Sequence, residues 1–277
     1  MDGDVMDELQ SAMKVAAVQM VSGSSVEQNL DQAAHWIQAA ATAGAKLVVL
    51  PEYFCILGQH EKDKLGVVEK PGEGPIQLFL AGQARRYGIW LVGGTIPLQS
   101  PDADRIYNSC LVFDPKGKPC ARYDKIHLFS FSRNSESYDE SRTIRPGDQS
   151  PQVFDLPIGR IALAICYDLR FPELFRAQGD VQLLVLPAAF TYTTGSVHWE
   201  VLLRARAIEN QCYVLASAQG GRHDNGRRTW GHSMLIDPWG EIISCLPEGA
   251  GLAMGTIDPE RVRSVRESLP ALRHRVM

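Results

Sequence analysis

The stretch KLVVLPEYF at residues 46–54 is matched by QLLVLPAAF at residues 182–190, which repeats its order of residue types. Each copy is a run of aliphatic residues that is stopped by a proline. Such a run predicts a short buried strand, because proline lacks the backbone N–H that continues a sheet ladder. Two copies of one strand in a single chain indicate a fold built from two related halves.

The elements around these two strands follow the same order in both halves. The first half is predicted to contain strands at 14–20, 46–52 and 89–94, helices at 25–45 and 74–88, and a hairpin at 108–125. The second is predicted to contain strands at 160–166, 182–190 and 212–221, a helix at about 196–210, and a hairpin at 231–245. Strands that alternate with helices are typical of an α/β fold. We therefore predict one domain over residues 1–277, with a core at about 14–258 and a C-terminal arm at about 259–277.

Composition and charge argue against several classes of protein. The 277 residues carry a net charge of −4 and no block of lysine or arginine, so we expect no nucleic-acid partner. No apolar stretch reaches the roughly 18 residues of a membrane span, and the acidic N-terminus does not resemble a signal peptide, so we expect no membrane partner. The six cysteines include no CxxC pair, which argues against a zinc site or a disulfide framework and favours the cytoplasm. All but one of these cysteines are predicted to fill the core.

Three reactive side chains lie at the ends of different predicted strands. Glu52 follows the second strand, Lys125 ends the first hairpin, and Cys166 ends the apolar run at 160–166. In layered α/β folds, reactive groups gather beyond the strand ends. A carboxylate beside an apolar rim can act as a general base, and a lysine can favour a thiolate and stabilise an oxyanion. Taken singly, the three residues have ordinary interpretations as a capping acid, a solvated lysine and a buried thiol.

Other kinds of site find less support in the sequence. A Cys–His pair would need one of four histidines, at 127, 198, 223 and 232, but no protease-like cysteine motif accompanies them. Neither a GxxxxGK[ST] loop nor a GxGxxG loop after a strand is present. His198 and Glu200 are two residues apart on a predicted helix and therefore lie on different faces. We expect neither a metal nor a cofactor.

The motifs LPEYF, YDKIHLF and CYDLRFPELFR, which contain Glu52, Lys125 and Cys166, resemble the Glu–Lys–Cys triad of the nitrilase superfamily of carbon–nitrogen hydrolases. They occur in the family's order, at separations of 73 and 41 residues, and the resemblance extends from about residue 14 to about residue 258. It implies a four-layer α-β-β-α sandwich of two pseudo-symmetric halves. It also implies a fourth catalytic residue, a glutamate near the lysine, and Glu140 in YDES matches that position.

The resemblance also implies a mechanism. Cys166 would attack the amide carbonyl to form a thioester with release of ammonia, and Glu52 would act as the base in both half-reactions. Lys125 and the backbone N–H of Tyr167 would hold the oxyanion, and Glu140 would orient Lys125 or Glu52.

One stretch points to a branch of the superfamily. TGSVHWEVLLRARAIENQCYVLASAQGGRH (194–223) most resembles the branch that hydrolyses the amide of deaminated glutathione. Alternatives are the branch acting on α-ketoglutaramate, amidohydrolases of N-carbamoyl amino acids, aliphatic nitrilases, and a catalytically silent scaffold of the same fold. The loop at 130–137 departs from the pattern usual in close relatives.

The substrate of that branch carries two carboxylates, so its pocket should contain more than one cation. The predicted substrate-binding residues are Arg133, Arg170, Arg222, His198 and His223. Surface placement is the ordinary interpretation of Arg133 and Arg222, and Asp168 and Glu173 are interpreted as a structural network behind Cys166. The predicted partners are a small amide substrate that bears carboxylates and, because family members pair their sandwiches, a second copy in a homodimer or larger homo-oligomer.

Overall fold

The computed structural model describes residues 11–133, 136–148 and 152–276. Its strands are β1 (Met13–Gln19), β2 (Leu47–Val49), β3 (Trp90–Val92), β4 (Ile96–Gln99), β5 (Ile106–Phe113), β6 (Pro119–Asp124), β7 (Ser130–Arg133), β8 (Glu136–Asp139), β9 (Val153–Leu156), β10 (Gly159–Leu163), β11 (Leu183–Ala188), β12 (Tyr213–Ala218), β13 (Gly220–Arg222), β14 (Arg228–Trp230), β15 (Ser233–Ile236), β16 (Ile242–Leu246) and β17 (Gly251–Ile257). Its α-helices are α1 (Val26–Thr42), α2 (Pro75–Tyr87), α3 (Pro172–Ala177), α4 (Tyr192–Asn210) and α5 (Pro259–Ser268).

The strands form two large sheets with the same internal order. The first has the order β17–β1–β2–β3–β5–β4, with β6 also paired to β5, and the second has the order β16–β15–β12–β11–β10–β9. In each sheet three parallel strands, β1–β2–β3 or β10–β11–β12, are flanked on both sides by antiparallel strands. The predicted pseudo-symmetric repeat is therefore confirmed. Two small hairpins, β7–β8 and β13–β14, lie outside these sheets.

The sheets stack face to face between layers of helix. Val15 and Ala17 of β1 pack with residues of the second sheet, whereas Ala16 and Val18 pack with residues of α1 and α2. This alternation follows from the two-residue period of a strand. On its other face the second sheet is covered by α3 and α4, for example through Trp199. The layers are thus α-β-β-α, as the resemblance implied.

Local signals in the sequence fix the limits of the first two helices. The Ser25 side chain accepts a hydrogen bond from the backbone N–H of Gln28 and caps α1. Pro75 occupies the first turn of α2, where no backbone donor is needed, and Gly88 ends that helix in the left-handed conformation at φ +59°. These limits lie within two or three residues of the predicted ones.

Two strands are shorter than predicted, and the difference concerns the candidate site. β2 ends at Val49, so Glu52 lies three residues beyond it, and β10 ends at Leu163, so Cys166 lies three residues beyond that strand. Cys166 instead begins a 3₁₀ turn that extends to Arg170. Both reactive side chains are therefore carried by turns that follow parallel strands.

The C-terminal arm folds back on the chain over most of its length. α5 buries Val262 and Val265, and the Arg266 guanidinium donates to the backbone oxygens of Gln211 and Val181. A role of residues 259–277 in reaching a partner stays a prediction. None of the helices in the described ranges is long and apolar enough to cross a membrane.

The cysteines differ in part from expectation. Cys55, Cys110 and Cys212 are buried as predicted, but Cys120 and Cys245 are exposed on β6 and β16. The prediction that all but one cysteine fill the core is therefore wrong, because these two lie on outward-facing positions of their strands.

Candidate active site

Glu52 is aimed inward by a tight turn after β2. The turn has Tyr53 at φ +56°, and the Tyr53 backbone N–H donates to Thr95 Oγ1 at 2.9 Å. Gly94 packs so closely that an added Cβ would lie 2.2 Å from the Pro51 carbonyl oxygen, so only glycine fits there. The Glu52 side chain is buried, and its Oε1 accepts hydrogen bonds from Asn108 Nδ2 at 2.9 Å and Lys125 Nζ at 2.8 Å.

Lys125 is placed by the strand pair that precedes it. Its backbone N–H donates to the Asn108 carbonyl oxygen at 3.0 Å, which continues the pairing of β5 with β6. Its ammonium group has no exposed surface and contacts two carboxylates, with Nζ 2.8 Å from Glu52 Oε1 and 2.8 Å from Glu140 Oε2. A buried charge needs such partners, because an unpaired one is strongly destabilising.

Glu140 is fixed by contacts on both of its oxygens. It begins a short 3₁₀ turn after β8. Its Oε2 accepts from the Phe129 backbone N–H at 2.7 Å, and its Oε1 accepts from the Tyr53 hydroxyl at 2.7 Å. Glu140 therefore contacts Lys125, as Glu52 does, and its role in orienting the lysine stays a prediction.

Cys166 sits in a strained conformation that its neighbours maintain. Its φ of +48° is unusual for a residue with a side chain. Asp168, two residues on, is fully buried, and its Oδ2 accepts from the Ile165 backbone N–H at 2.8 Å and from the Tyr123 hydroxyl at 2.7 Å. Its Oδ1 lies 2.7 Å from His127 Nδ1. The structural interpretation of Asp168 is thus supported, whereas Glu173 is exposed at the start of α3 and lies outside this network.

Burial and charge shift the pKa values of the acidic groups in different directions. Burial raises the pKa of Glu52, with Lys125 opposing it and Glu140 adding to it. Burial also raises the pKa of Glu140, but Lys125 and Lys64 outweigh it and leave that pKa below its usual value. The pKa of Lys125 is well above its usual value: burial lowers it, and the two glutamates more than compensate.

The surroundings of Cys166 disfavour the thiolate form. Burial and then the charge of Glu52 raise the pKa of Cys166 well above its usual value, against the opposing effect of Lys125. Lys125 therefore lowers the pKa of the thiol, as expected, but burial and the charge of Glu52 raise it by more. The chemistry needs a base that removes the proton as the sulfur attacks, and Glu52 with its raised pKa is suited to that step.

A small cavity of about 20 Å³ opens beside the thiol. Its lining residues are Phe129, Cys166, Tyr167, Arg170, Ala189, Phe190, Thr191 and Thr194. The Arg170 guanidinium lies over the Tyr167 ring at 5.6 Å and the Phe190 ring at 5.3 Å, and its Nη1 donates to His198 Nδ1 at 3.2 Å. Burial and the charge of Arg170 lower the pKa of His198, which suits a neutral acceptor. The structure thus places Arg170 beside Cys166, whereas His198 is exposed and contacts Arg170 without lining the cavity.

The other predicted substrate-binding residues lie elsewhere. Arg133 is exposed at the end of β7, and Arg222 is exposed on β13. His223 is buried, with Nδ1 2.8 Å from the Ser22 carbonyl oxygen and Nε2 2.8 Å from Thr229 Oγ1. Both of its ring nitrogens are occupied, so its geometry is that of a structural histidine. Within the described residues, none of the three lines the cavity at Cys166, and residues 134–135 of the atypical loop lie outside the described ranges.

Two residues of the network were missed by the sequence analysis. The Tyr53 hydroxyl supports Glu140, and the Asn108 amide supports Glu52. Tyr53 could have been noticed because it directly follows Glu52 in LPEYF. Asn108 carried no signal, because its contact with Glu52 depends on the pairing of strands far apart in the sequence.

The fold and the buried Glu–Lys–Glu network beside a thiol define a class of enzyme, and comparison with known proteins agrees. The carbon–nitrogen hydrolase family matches residues 14–267. The chain therefore belongs to this family, the nitrilase superfamily, and is a carbon–nitrogen hydrolase.

Individual relatives are similar over nearly their whole length. The chain is 42% identical to a deaminated glutathione amidase of Yersinia enterocolitica over 94% of this chain and 92% of that protein. It is 39% identical to the deaminated glutathione amidase of Homo sapiens over 94% of this chain and 81% of that protein. The crystal structure of a Saccharomyces cerevisiae member of branch 10 of the nitrilase superfamily superposes with a TM-score of 0.86, at 34% identity, over 96% of this chain and 97% of that one.

Proposed function

We propose that this enzyme hydrolyses the α-ketoglutaramyl amide of deaminated glutathione through a thioester on Cys166. The observation that carries the proposal is the buried contact of Lys125 with both Glu52 and Glu140, close to the Cys166 thiol. The names of the relatives, at 39–42% identity over 94% of the chain, support this substrate.

In the first half-reaction the sulfur of Cys166 attacks the amide carbonyl carbon while Glu52 accepts the thiol proton. The oxyanion that forms receives hydrogen bonds from Lys125 and from the backbone N–H of Tyr167. Lys125 Nζ lies within 3.0 Å of Glu52 Oε1 and of both oxygens of Glu140. Its three N–H groups can serve the substrate as well when one of them is shared between the two Glu140 oxygens. Glu52 then gives its proton to the departing nitrogen, and the carbon–nitrogen bond breaks to leave a thioester.

In the second half-reaction Glu52 accepts a proton from water, which attacks the thioester carbonyl. The carbon–sulfur bond breaks, the proton returns to the Cys166 sulfur, and the free acid departs. The predicted release of ammonia needs a correction here, because ammonia leaves only from a primary amide such as α-ketoglutaramate. In deaminated glutathione the amide nitrogen belongs to cysteine, so the leaving group is the amine of cysteinylglycine.

α-Ketoglutaramate is the second candidate substrate, because its acyl group is the same as that of deaminated glutathione. The cavity at Cys166 holds about 20 Å³, and among its described lining residues Arg170 supplies the positive charge. Arg170 can bind the single carboxylate of the acyl group that both substrates share, and the rest of that group must extend beyond a cavity with room for about one water molecule. The two substrates differ only in their leaving groups, so the space on the leaving-group side of the scissile bond decides between them.

A product assay with four substrates tests the proposal. Deaminated glutathione should yield cysteinylglycine, detected by its free amine, and α-ketoglutaramate should yield ammonia at a lower kcat/KM. N-carbamoyl-β-alanine and an aliphatic nitrile should react far more slowly than either. The C166A variant is the control for background hydrolysis. Turnover of the nitrile or the carbamoyl compound above that of both keto acids would contradict the assignment.

We also propose that the enzyme is a cytoplasmic homodimer that pairs through α4. Val197, Val201 and Ile208 on that helix are exposed, as is Trp239 in the adjoining hairpin of β15 and β16. Ile208 lies against Gly240 of that hairpin, which makes the apolar surface continuous. V201E should therefore convert the dimer to monomer in light scattering, whereas E200Q, one residue away and polar, should not.

A further inference from the structure

A second and larger cavity adjoins the catalytic network. It encloses about 300 Å³, and its walls include Tyr53, Leu57, His60, Lys64, Asn225 and Arg227. Resting on the function proposed above, we infer that this cavity is the leaving-group subsite, in which Lys64 and Arg227 bind the glycine carboxylate of the cysteinylglycine half of the substrate.

The position of Glu52 determines which side of the substrate faces this cavity. Glu52 must protonate the departing nitrogen, so the leaving group lies on the side of the scissile bond that faces Glu52. The next residue, Tyr53, forms part of the cavity wall, and its hydroxyl donates to Glu140 at 2.7 Å. The amine half of the substrate is therefore directed toward the larger cavity, while the acyl half stays beside Arg170.

Two cations are held in place in this cavity by aromatic rings. Lys64 Nζ lies 5.1 Å from the centre of the Tyr53 ring, and the Arg227 guanidinium lies 5.0 Å from the centre of the Tyr138 ring. Their side chains are only 11% and 27% exposed. Lys64 also lowers the pKa of Glu140, which agrees with its closeness to the catalytic network.

A carboxylate of the chain already lies between these cations. Glu61 Oε2 is 3.1 Å from Lys64 Nζ, and Glu61 Oε1 is 3.9 Å from Arg227 Nη1. The Glu61 side chain is 48% exposed and can turn into solvent. A substrate carboxylate can take its place and satisfy the same two cations. The extended dipeptide spans about 7 Å, so its terminal carboxylate needs an anchor outside the small cavity at Cys166.

This assignment makes the larger cavity the determinant of specificity. α-Ketoglutaramate ends at its amide nitrogen and has no carboxylate to place there, whereas deaminated glutathione does. The terminal carboxylate should therefore contribute to binding of deaminated glutathione without affecting the chemistry of the acyl group.

The test compares substrates within each variant. The ratio of kcat/KM for deaminated glutathione to that for its C-terminal glycinamide analogue should exceed about tenfold in the wild type, the scale for a charge-assisted hydrogen bond. K64M and R227Q should each reduce that ratio about tenfold, chiefly through KM for the acid. K62M, an exposed lysine two residues from Lys64, should leave the ratio unchanged. E61Q should lower KM for the acid, because it removes the competing carboxylate.

The outcomes separate this inference from the proposed function. A wild type that hydrolyses deaminated glutathione with equal preference for acid and glycinamide, or variants that retain the wild-type ratio, would overturn the subsite alone. A wild type that hydrolyses α-ketoglutaramate but not deaminated glutathione would overturn the proposed substrate. The ratio of the two kcat/KM values is independent of how much folded enzyme each preparation contains. If K64M disturbs Glu140, the ratio measured for R227Q tests the subsite.

Discussion

The ammonium nitrogen of Lys125 lies 2.8 Å from Oε1 of Glu52, and neither side chain is open to solvent. Glu140 contacts the same nitrogen from another side. One buried positive charge thus serves two carboxylates, and the surplus negative charge helps to keep the pKa of Glu52 above its usual value. The geometry gives Lys125 a structural task, and the oxyanion role proposed for it would act through the same atom.

Removal of the lysine charge should affect both tasks. K125M is expected to lower kcat by roughly 10²–10³-fold or more, the typical loss for one oxyanion donor. It should also destabilise the fold by about 3–5 kcal/mol, because two buried carboxylates lose their partner. Steady-state kinetics and urea unfolding measure the two effects. A variant that shows only a raised KM with an intact kcat would contradict the oxyanion role.

Replacement of the nucleophile should abolish turnover at little cost in stability. C166A removes one sulfur atom from the rim of a cavity, so we expect a change in the free energy of unfolding of about 1 kcal/mol or less. In the wild type, mass spectrometry of the quenched reaction should find an acyl adduct on Cys166. Cys120 and Cys245 are exposed and serve as internal controls, since an adduct there instead would reject the assignment.

Asp168 should act on catalysis through the position of the thiol. D168N keeps the volume of the side chain but weakens its contacts with the Ile165 backbone N–H, the Tyr123 hydroxyl and His127. We expect a lower kcat, a loss of stability of about 1–3 kcal/mol, and slower alkylation of Cys166 by iodoacetamide. D155N, on the exposed side of β9, is the matched control. Unchanged alkylation together with lower stability would leave Asp168 a purely structural role.

The parts of the molecule that depend on local sequence pattern could be predicted from the sequence. The repeated strands and the hairpins follow from apolar runs and turns, and the candidates Glu52 and Cys166 follow from strand ends. The exact ends of those strands were not predictable, because the turn at Cys166 is set by the buried contacts of Asp168. Other contacts could not be predicted because they join distant parts of the chain. Tyr53 and Glu140, for example, are 87 residues apart.

The same reason explains why several of the predicted substrate-binding residues do not line the cavity at Cys166. Arg133 and Arg222 were proposed because their segments follow strand ends, but whether a side chain turns inward depends on the hairpin that carries it. Lys64 and Arg227, which line the larger cavity, come from segments that the sequence analysis did not single out. The position of a residue in the sequence does not predict contacts between segments that meet only after both halves of the fold have packed.

The pH dependence of stability should separate Glu140 from Glu52, because their pKa values shift in opposite directions. The pKa of Glu140 lies below its usual value of 4.5 in the folded protein. Such a group stabilises the fold at pH values above 4.5, and this contribution is lost as the pH falls through the folded pKa. The destabilisation caused by E140Q should therefore be largest near neutral pH and should shrink in acid.

The contribution of Glu52 to stability should depend on pH in the opposite direction. Its pKa is raised above 4.5, so the folded protein binds more protons than the unfolded chain between the two values, and stability falls as the pH rises through that window. E52Q mimics the protonated form, so it should cost less stability near neutral pH than in acid, while its activity is lost at every pH. Urea unfolding of both variants and the wild type measures the two slopes, from about pH 2.5, well below the usual glutamate pKa of 4.5, to pH 8. Slopes of the same sign would contradict the opposite pKa shifts of the two carboxylates.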